Sequence, residues 1–236
     1  GYKNFWFVDG TFRVDQSSSL PEDENTYYYP SVSSSLVFSS LVDLDWLSFG
    51  KLRANWAEVG NSPPALSVYD VYASPTNFTS PLYSVPSTAN NPDLKAETTQ
   101  SWEAGLEVEL FDRRAGFDLA VYQSNSIDQL MPVTVSAATG YSSKWVNAGE
   151  IENRGIELSA HVSPVRTDNF EWRINGNWSK NESEVISLYQ GTQNLQLAGL
   201  QGGVTINATV GQPYGTIWGT NFTYVDGQRV INPDNG

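Results

Sequence analysis

Few residues in this chain have the types and spacing that chemistry needs. Glu107 and Glu109 lie two apart, as a general acid/base pair would. On an extended segment that spacing puts both on one face, where carboxylates that keep a wet surface wet are the better reading. His161 is the only histidine and shares a face with Glu157, but one imidazole without a second ligand makes no metal centre. With no cysteine, thiolate sites, disulfides and Cys nucleophiles are excluded. Pro233-Asp234-Asn235-Gly236 lacks the spaced carboxylates of a Ca²⁺ loop and reads as a turn. Asn77, Asn177, Asn181, Asn207 and Asn221 open N-x-[ST] sequons that an Asn- and Ser-rich chain produces by chance. The remaining candidates are aromatic. Tyr141, Trp145 and Trp218 lie in polar connecting segments, where rings stack on sugars or meet a partner protein. No catalytic residue, cofactor or metal is expected.

The elements that hold these residues read as strands. From Gln100 to Phe111, Trp102, Ala104, Leu106, Val108 and Leu110 fall on one face, and Ser101, Glu103, Gly105, Glu107 and Glu109 on the other. The same alternation runs through 3–14, 28–39, 48–59, 114–127, 155–164 and 169–181. That makes about seven strands, and no helical period of comparable length competes with them. The segment Leu195 to Val210 is Gln- and Gly-rich and reads as loop. Thr216 to Val225, the turn Asp226-Gly227 and Gln228 to Ile231 read as a hairpin.

The connections alternate. Asp15–Thr26, Gly60–Thr98 and Asp128–Glu152 are long and polar, while Ser40–Leu47, Asp112-Arg113 and Val165–Asp168 are short. In an up-and-down meander this places the long loops at one end. Aromatics flank the strands at both ends, with Tyr28, Trp56, Trp102, Tyr122 and Trp178 near the long loops. Phe38, Phe49, Phe111, Phe117 and Phe170 lie near the short turns. Tilted strands, two aromatic girdles and unequal loops describe a transmembrane β-barrel, with the apolar face toward lipid and the acidic face toward a wet interior. The expected fold is therefore all-β: an antiparallel up-and-down meander forming part of a large barrel. Residues 1–183 supply the strands, with long loops extracellular and short turns periplasmic. Residues 184–236 form an extracellular loop and hairpin region.

Composition agrees. Among 236 residues, 13 Lys+Arg face 26 Asp+Glu, for a net charge of -13, so no basic stripe is available for nucleic acid. The chain carries 8 Trp, 12 Tyr and 10 Phe, yet no run of 18 apolar residues that would span a membrane as a helix. The N-terminal residues show no signal peptide, and both ends read as the interior of a longer chain. First and last strands are then expected to keep open edges. A secreted β-sandwich that binds glycans or mediates adhesion shares the alternation, but leaves the two girdles unexplained. A glycoside hydrolase has only the carboxylates in its favour.

Several stretches resemble one family, the SusC/RagA-like TonB-dependent outer-membrane transporters of the Bacteroidetes. They are Tyr29-Pro30-Ser31-Val32-Ser33, Phe49-Gly50-Lys51-Leu52-Arg53-Ala54 with Val59-Gly60-Asn61, and Asn91-Pro92-Asp93-Leu94-Lys95-Ala96-Glu97-Thr98 with Glu103-Ala104-Gly105-Leu106-Glu107. Further along come Ala138-Thr139-Gly140, Val146-Asn147-Ala148-Gly149-Glu150-Ile151 and Asn153-Arg154-Gly155-Ile156-Glu157-Leu158, and, less specifically, Val210-Gly211-Gln212-Pro213-Tyr214-Gly215. The resemblance implies a 22-stranded barrel in the outer membrane with a plug in its lumen, and energy from the TonB complex acting through the plug. It implies a SusD-like surface lipoprotein as lid and an oligosaccharide or peptide as cargo. Plug and remaining strands are expected outside this sequence.

Overall fold

A computed structural model describes residues 1–72, 74 and 82–230. Seven long strands form one antiparallel sheet in chain order: β1 (Trp6–Gln16), β2 (Thr26–Leu36), β3 (Leu47–Asn61), β4 (Glu97–Leu110), β5 (Ala115–Ile127), β6 (Glu150–Thr167) and β7 (Phe170–Ser187). Each pairs only with its sequence neighbours, so the meander expected from the alternation is what forms. Among the described residues no further strand of this sheet pairs along the outer edge of β1 or β7, which carry only the single bridges Tyr2–Trp6 and Val185–Val210.

The register explains why these residues make this sheet. Residues directly opposite each other share a face, and a slip of one would move every apolar side chain to the other face. One row runs Leu36–Leu52–Leu106–Leu119–Leu158–Trp178 across six strands. The next polar row runs Arg53–Gly105–Ala120–Glu157–Ser179. β1 continues the apolar face with Trp6, Val8 and Phe12, set opposite Leu36, Ser34 and Pro30. Apolar side chains on this face remain open: Phe12 is 66% exposed, Trp178 54% and Leu52 46%.

Strand limits differ from the sequence reading where the pattern stops being periodic. β6 and β7 extend to Glu150 and Ser187, beyond the last clean alternation, because their backbones continue to pair above the apolar band. The turn between them shrinks to Asp168-Asn169. β2 ends at Leu36, and Phe38–Ser40 is a 3₁₀ turn, so Phe38 is not a strand residue. Its ring folds back over Gly50, where any side chain would collide with it. The connections 17–25 and 37–46 are of similar length, so the contrast of long and short connections holds only after β3.

Two girdle assignments also change. Tyr122 pairs with Glu103 and Gly155, and Phe49 with Glu109, which puts both on the polar face. Aromatic type alone does not say which face a strand residue takes; parity does.

The segment expected as loop, Leu195 to Val210, contains strands Asn194–Gly199 and Thr205–Thr209, joined by a second pairing to Thr216–Trp218. The expected long strand from Thr216 therefore breaks after Trp218. The hairpin closes as expected at Asp226-Gly227, with Tyr224–Val225 against Gln228–Arg229. Its two turn residues have φ of 51° and 77°, the left-handed pair that a type I′ turn needs. Pro233 to Gly236 and the sequon at Asn77 lie outside the described residues.

Candidate functional site: a two-faced wall under a folded loop layer

The polar face is a network of long side chains lying across glycines. Arg53 on β3 reaches over Gly105 on β4. It pairs with Glu103 (Nε–Oε1 3.3 Å) and with Asp118 on β5 (Nη2–Oδ1 2.8 Å). A Cβ on Gly105 would strike the guanidinium, so glycine is what lets Arg53 lie flat and tie three strands together. Tyr122 on β5 does the same over Gly155 on β6, donating its hydroxyl proton to Asn181 Oδ1 on β7 (3.1 Å). Lys51 pairs with Glu107 at 3.6 Å. Glu107 and Glu109 thus face separate partners, a lysine and the histidine. His161 lies 3.3 Å from Glu109 Oε2, across Gly116, rather than against Glu157. Among the described residues no group of three or more His, Asp or Glu is placed to hold a metal.

The apolar face approaches the height of a barrel's apolar band, roughly 25 Å. From Leu110 to Trp102 a strand advances roughly 27 Å, or about 20 Å of height at the tilt of a barrel strand. The opposite rows Val108–Phe117–Ala160, Leu106–Leu119–Leu158 and Ala104–Val121–Ile156 hold no charge. An exposed apolar area of this continuity must be covered by lipid or protein.

The described parts of the connections 17–25, 62–96 and 128–149 fold together above the sheet. Leu20, Val68 and Leu94 form a buried cluster, with Tyr27, Ala96, Leu130 and Trp145 packed against it. Leu94 is 0% exposed. A second cluster joins Val133, Val146 and Ala148. Between them sits Asn147. Its Oδ1 accepts from Lys95 N (2.7 Å), and its Nδ2 donates to the carbonyls of Lys95 (2.8 Å) and Asp128 (2.9 Å). Asn91, itself buried, donates its backbone N–H to Ser67 O (2.9 Å). Lys95 also pairs with Glu24 at 3.5 Å. One asparagine thereby clasps two long connections to each other, a role that composition hides because Asn is common in this chain.

The three candidate aromatics separate here. Trp145 lies on the short strand Ser143–Asn147 and packs against the Leu20 cluster. Tyr141 is half-buried beside the 3₁₀ turn Ala137–Thr139. Trp218 ends Thr216–Trp218 and is 43% exposed. The structure does not bring the three into one cluster with the polar face. Of the sequon residues, Asn207 is 2% exposed and bonded to Thr205 and Asn194, a position closed to modification.

A sheet with one lipid-compatible face, one polar face bound by ion pairs and a folded loop layer at one end is a section of an outer-membrane β-barrel wall. Residues 3–236 match the family model TonB dependent receptor-like, beta-barrel, and the chain belongs to that family. It is SusC/RagA-like. It is 30% identical over 196 residues to TonB-dependent receptor P26 of Formosa agariphila, covering 79% of this chain and 20% of that one. To TonB-dependent receptor SusC of Bacteroides thetaiotaomicron it is 29% identical over 201 residues, 80% of this chain and 20% of that protein. The fold matches the structure of the RagAB peptide transporter with a TM-score of 0.80 at 22% identity, over 91% of this chain and 24% of that one. The chain thus spans about a fifth of the curated relatives it matches.

Proposed function

We propose that this chain supplies wall strands and outer loops of a TonB-dependent importer that takes oligosaccharides or peptides across the outer membrane. In this reading the wall belongs to a 22-stranded barrel whose plug, outside this sequence, couples to the TonB complex. A SusD-like lipoprotein covers the loop end. The observation that carries the reading is the junction of the apolar band with the loop layer: the sheet's apolar face stays open while the loops bury cores of their own. The long-loop end is extracellular, and the turns 111–114 and Asp168-Asn169 are periplasmic. Trp218, the most exposed of the three aromatics, offers a ring to cargo or lid. Tyr141 shares that role, and Trp145 acts with its loop. A β-sandwich would bury the apolar face under a second sheet, whereas Phe12, Leu52, Trp102 and Trp178 on that face are exposed.

Whole-cell labelling of the full-length transporter tests the orientation. Ser143→Cys should react with a membrane-impermeant maleimide in intact cells, and Asp112→Cys only after permeabilisation. The reverse pattern inverts the topology. Uptake assays with labelled oligosaccharide and labelled peptide then separate the cargo classes.

A further inference from the structure

From Val185 to Val225 the chain carries no Asp, Glu, Lys, Arg or His, and Gln129 to Ser143 carries none either. A solvated surface is ordinarily roughly 25–35% charged, so two such stretches stand out in this acidic chain. The fold brings them together. Between residues 133–135 and 188–196 lies an open cavity of about 560 Å³, within the size range of small-ligand sites. Val133 and Leu188, both buried, give it an apolar floor. Tyr189, half-buried, lines it and packs against the Val133 cluster. The Tyr189 hydroxyl and the side chains of Thr134, Gln190, Thr192 and Gln196 make no hydrogen bond among the described residues. Asn194 differs: its Nδ2 donates to Asn207 Oδ1 (3.2 Å), and its Oδ1 accepts from Thr209 Oγ1 (2.6 Å). Asn207 is itself buried and bonded to Thr205. The Asn194 amide is thereby held in one orientation, with one N–H and one lone pair left for a ligand.

We infer that this cavity seats an uncharged saccharide unit of the cargo. Adjacent sugar hydroxyls both donate and accept, and the amides and hydroxyls around the cavity answer both ways. The Tyr189 ring offers an apolar surface to the sugar C–H groups. An acidic sugar is a poorer fit. Its carboxylate or sulfate only accepts and calls for a cation, and Lys144, opposite Val133 on the adjoining strand, is outside the lining. An extended peptide would need an open sheet edge, and both edges at the cavity are blunted. Leu130–Thr134 is outermost in its small sheet, but Pro132 has no N–H to give an added strand. Asn194–Gly199 is outermost in its own, and its register shifts between Gln196 and Ala198. The inference rests on the reading that the loop end meets cargo outside the cell, and within that reading it chooses neutral sugar over acidic sugar and peptide.

Labelled full-length transporter in detergent, applied to an array of neutral oligosaccharides, uronate-containing or sulfated oligosaccharides and peptides, reads the outcome. Neutral oligosaccharides should be retained above the other two classes. Tyr189→Ala should weaken their binding by roughly tenfold, the scale of one lost ring contact. Tyr189 also packs against the Val133 cluster, so Thr192→Lys, at an exposed position, serves as the variant that leaves this packing intact. It should weaken neutral binding and shift preference toward the acidic oligosaccharides. Retention of acidic oligosaccharides or peptides alone, no retention of any neutral oligosaccharide, or neutral binding unchanged in both variants overturns the proposal. Failure of the underlying reading shows separately, as reversed labelling of Ser143→Cys and Asp112→Cys in whole cells.

Discussion

The wall and the loop layer solve the same problem in opposite ways. Each must remove apolar side chains from water. The wall does so by facing them all one way, so that Leu52, Trp102, Ile156 and Trp178 stay open within the protein itself. The loop layer has no periodic face and buries Leu20, Leu94 and Val146 inside itself. The largest fully buried side chains described are Leu20 and Leu94 in the loop layer, Val185 near the end of β7, and Asn207 in the strand Thr205–Thr209; none lies on the apolar band. A sheet whose own core is missing is complete only in hydrocarbon, whereas a loop with a core is complete in water. The boundary between the two solutions marks the membrane surface.

The largest effect that separates them is cavity formation in the loops. Leu94→Ala should destabilise the loop layer by about 2–5 kcal/mol, because the atoms around a side chain this buried cannot close the gap. External protease on cells should then cut within 62–96 while the barrel keeps its heat-resistant gel mobility. Loops that stay protected would mean that Leu20, Val68 and Leu94 are not a real core.

On the wall the damaging change is charge. Leu106→Arg, in the middle apolar row, should cost roughly 2–4 kcal/mol, and Glu107→Arg much less. The measurement is the fraction of folded barrel in the outer membrane. Equal tolerance at neighbouring positions would erase the difference between the two faces.

The clasp is a polar test of the loop layer. Asn147→Ala removes three hydrogen bonds and leaves backbone groups of Lys95 and Asp128 without that partner. A loss of about 1–3 kcal/mol is expected. Hydrogen exchange at the Lys95 amide should quicken, while amides of β4 and β5 stay protected. Asp at the same site restores the acceptor for Lys95 N but not the two donors, so it should recover only part of the protection.

What was legible in the sequence follows the same division. Strict period-2 alternation made β4 readable almost residue by residue, because every second side chain answers to one boundary, lipid or water. Asp226-Gly227 was readable because its turn type demands left-handed backbone. Phe49 and Tyr122 lie near the expected strand ends but on the polar face, outside either girdle, since an aromatic near a strand end fits either face until parity is applied. The loop layer was scarcely readable. Leu20, Val68 and Leu94 lie far apart in sequence with no common spacing, and the Asn147 clasp joins 95 to 147. Contacts of that kind leave no period, and the strands at Asn194–Gly199 and Thr205–Thr209 were hidden in the same way by a composition that reads as coil. The Val146–Ile151 and Asn91–Thr98 stretches that carry the family resemblance hold Asn147, Asn91 and Leu94, the residues that bind the loops together.

The smallest expected effect is the most telling. Leu106→Ala removes as many methylene and methyl groups from the wall as Leu94→Ala removes from the loops. In the loops those atoms have protein on all sides, and their loss leaves a void. On the wall Leu106 is half-buried among Leu52 and Leu119, with its open side toward the bilayer. Acyl chains are as apolar as leucine and flow into the space, so neither water nor a lasting cavity replaces the side chain. The cost should fall below about 1 kcal/mol, well short of the 2–5 kcal/mol of a closed core. Urea unfolding of the full-length protein in bilayers of uniform lipid provides the comparison, with both variants measured in the same vesicles. If Leu106→Ala costs as much as Leu94→Ala, protein rather than lipid covers the apolar face, and the wall would be an interior sheet.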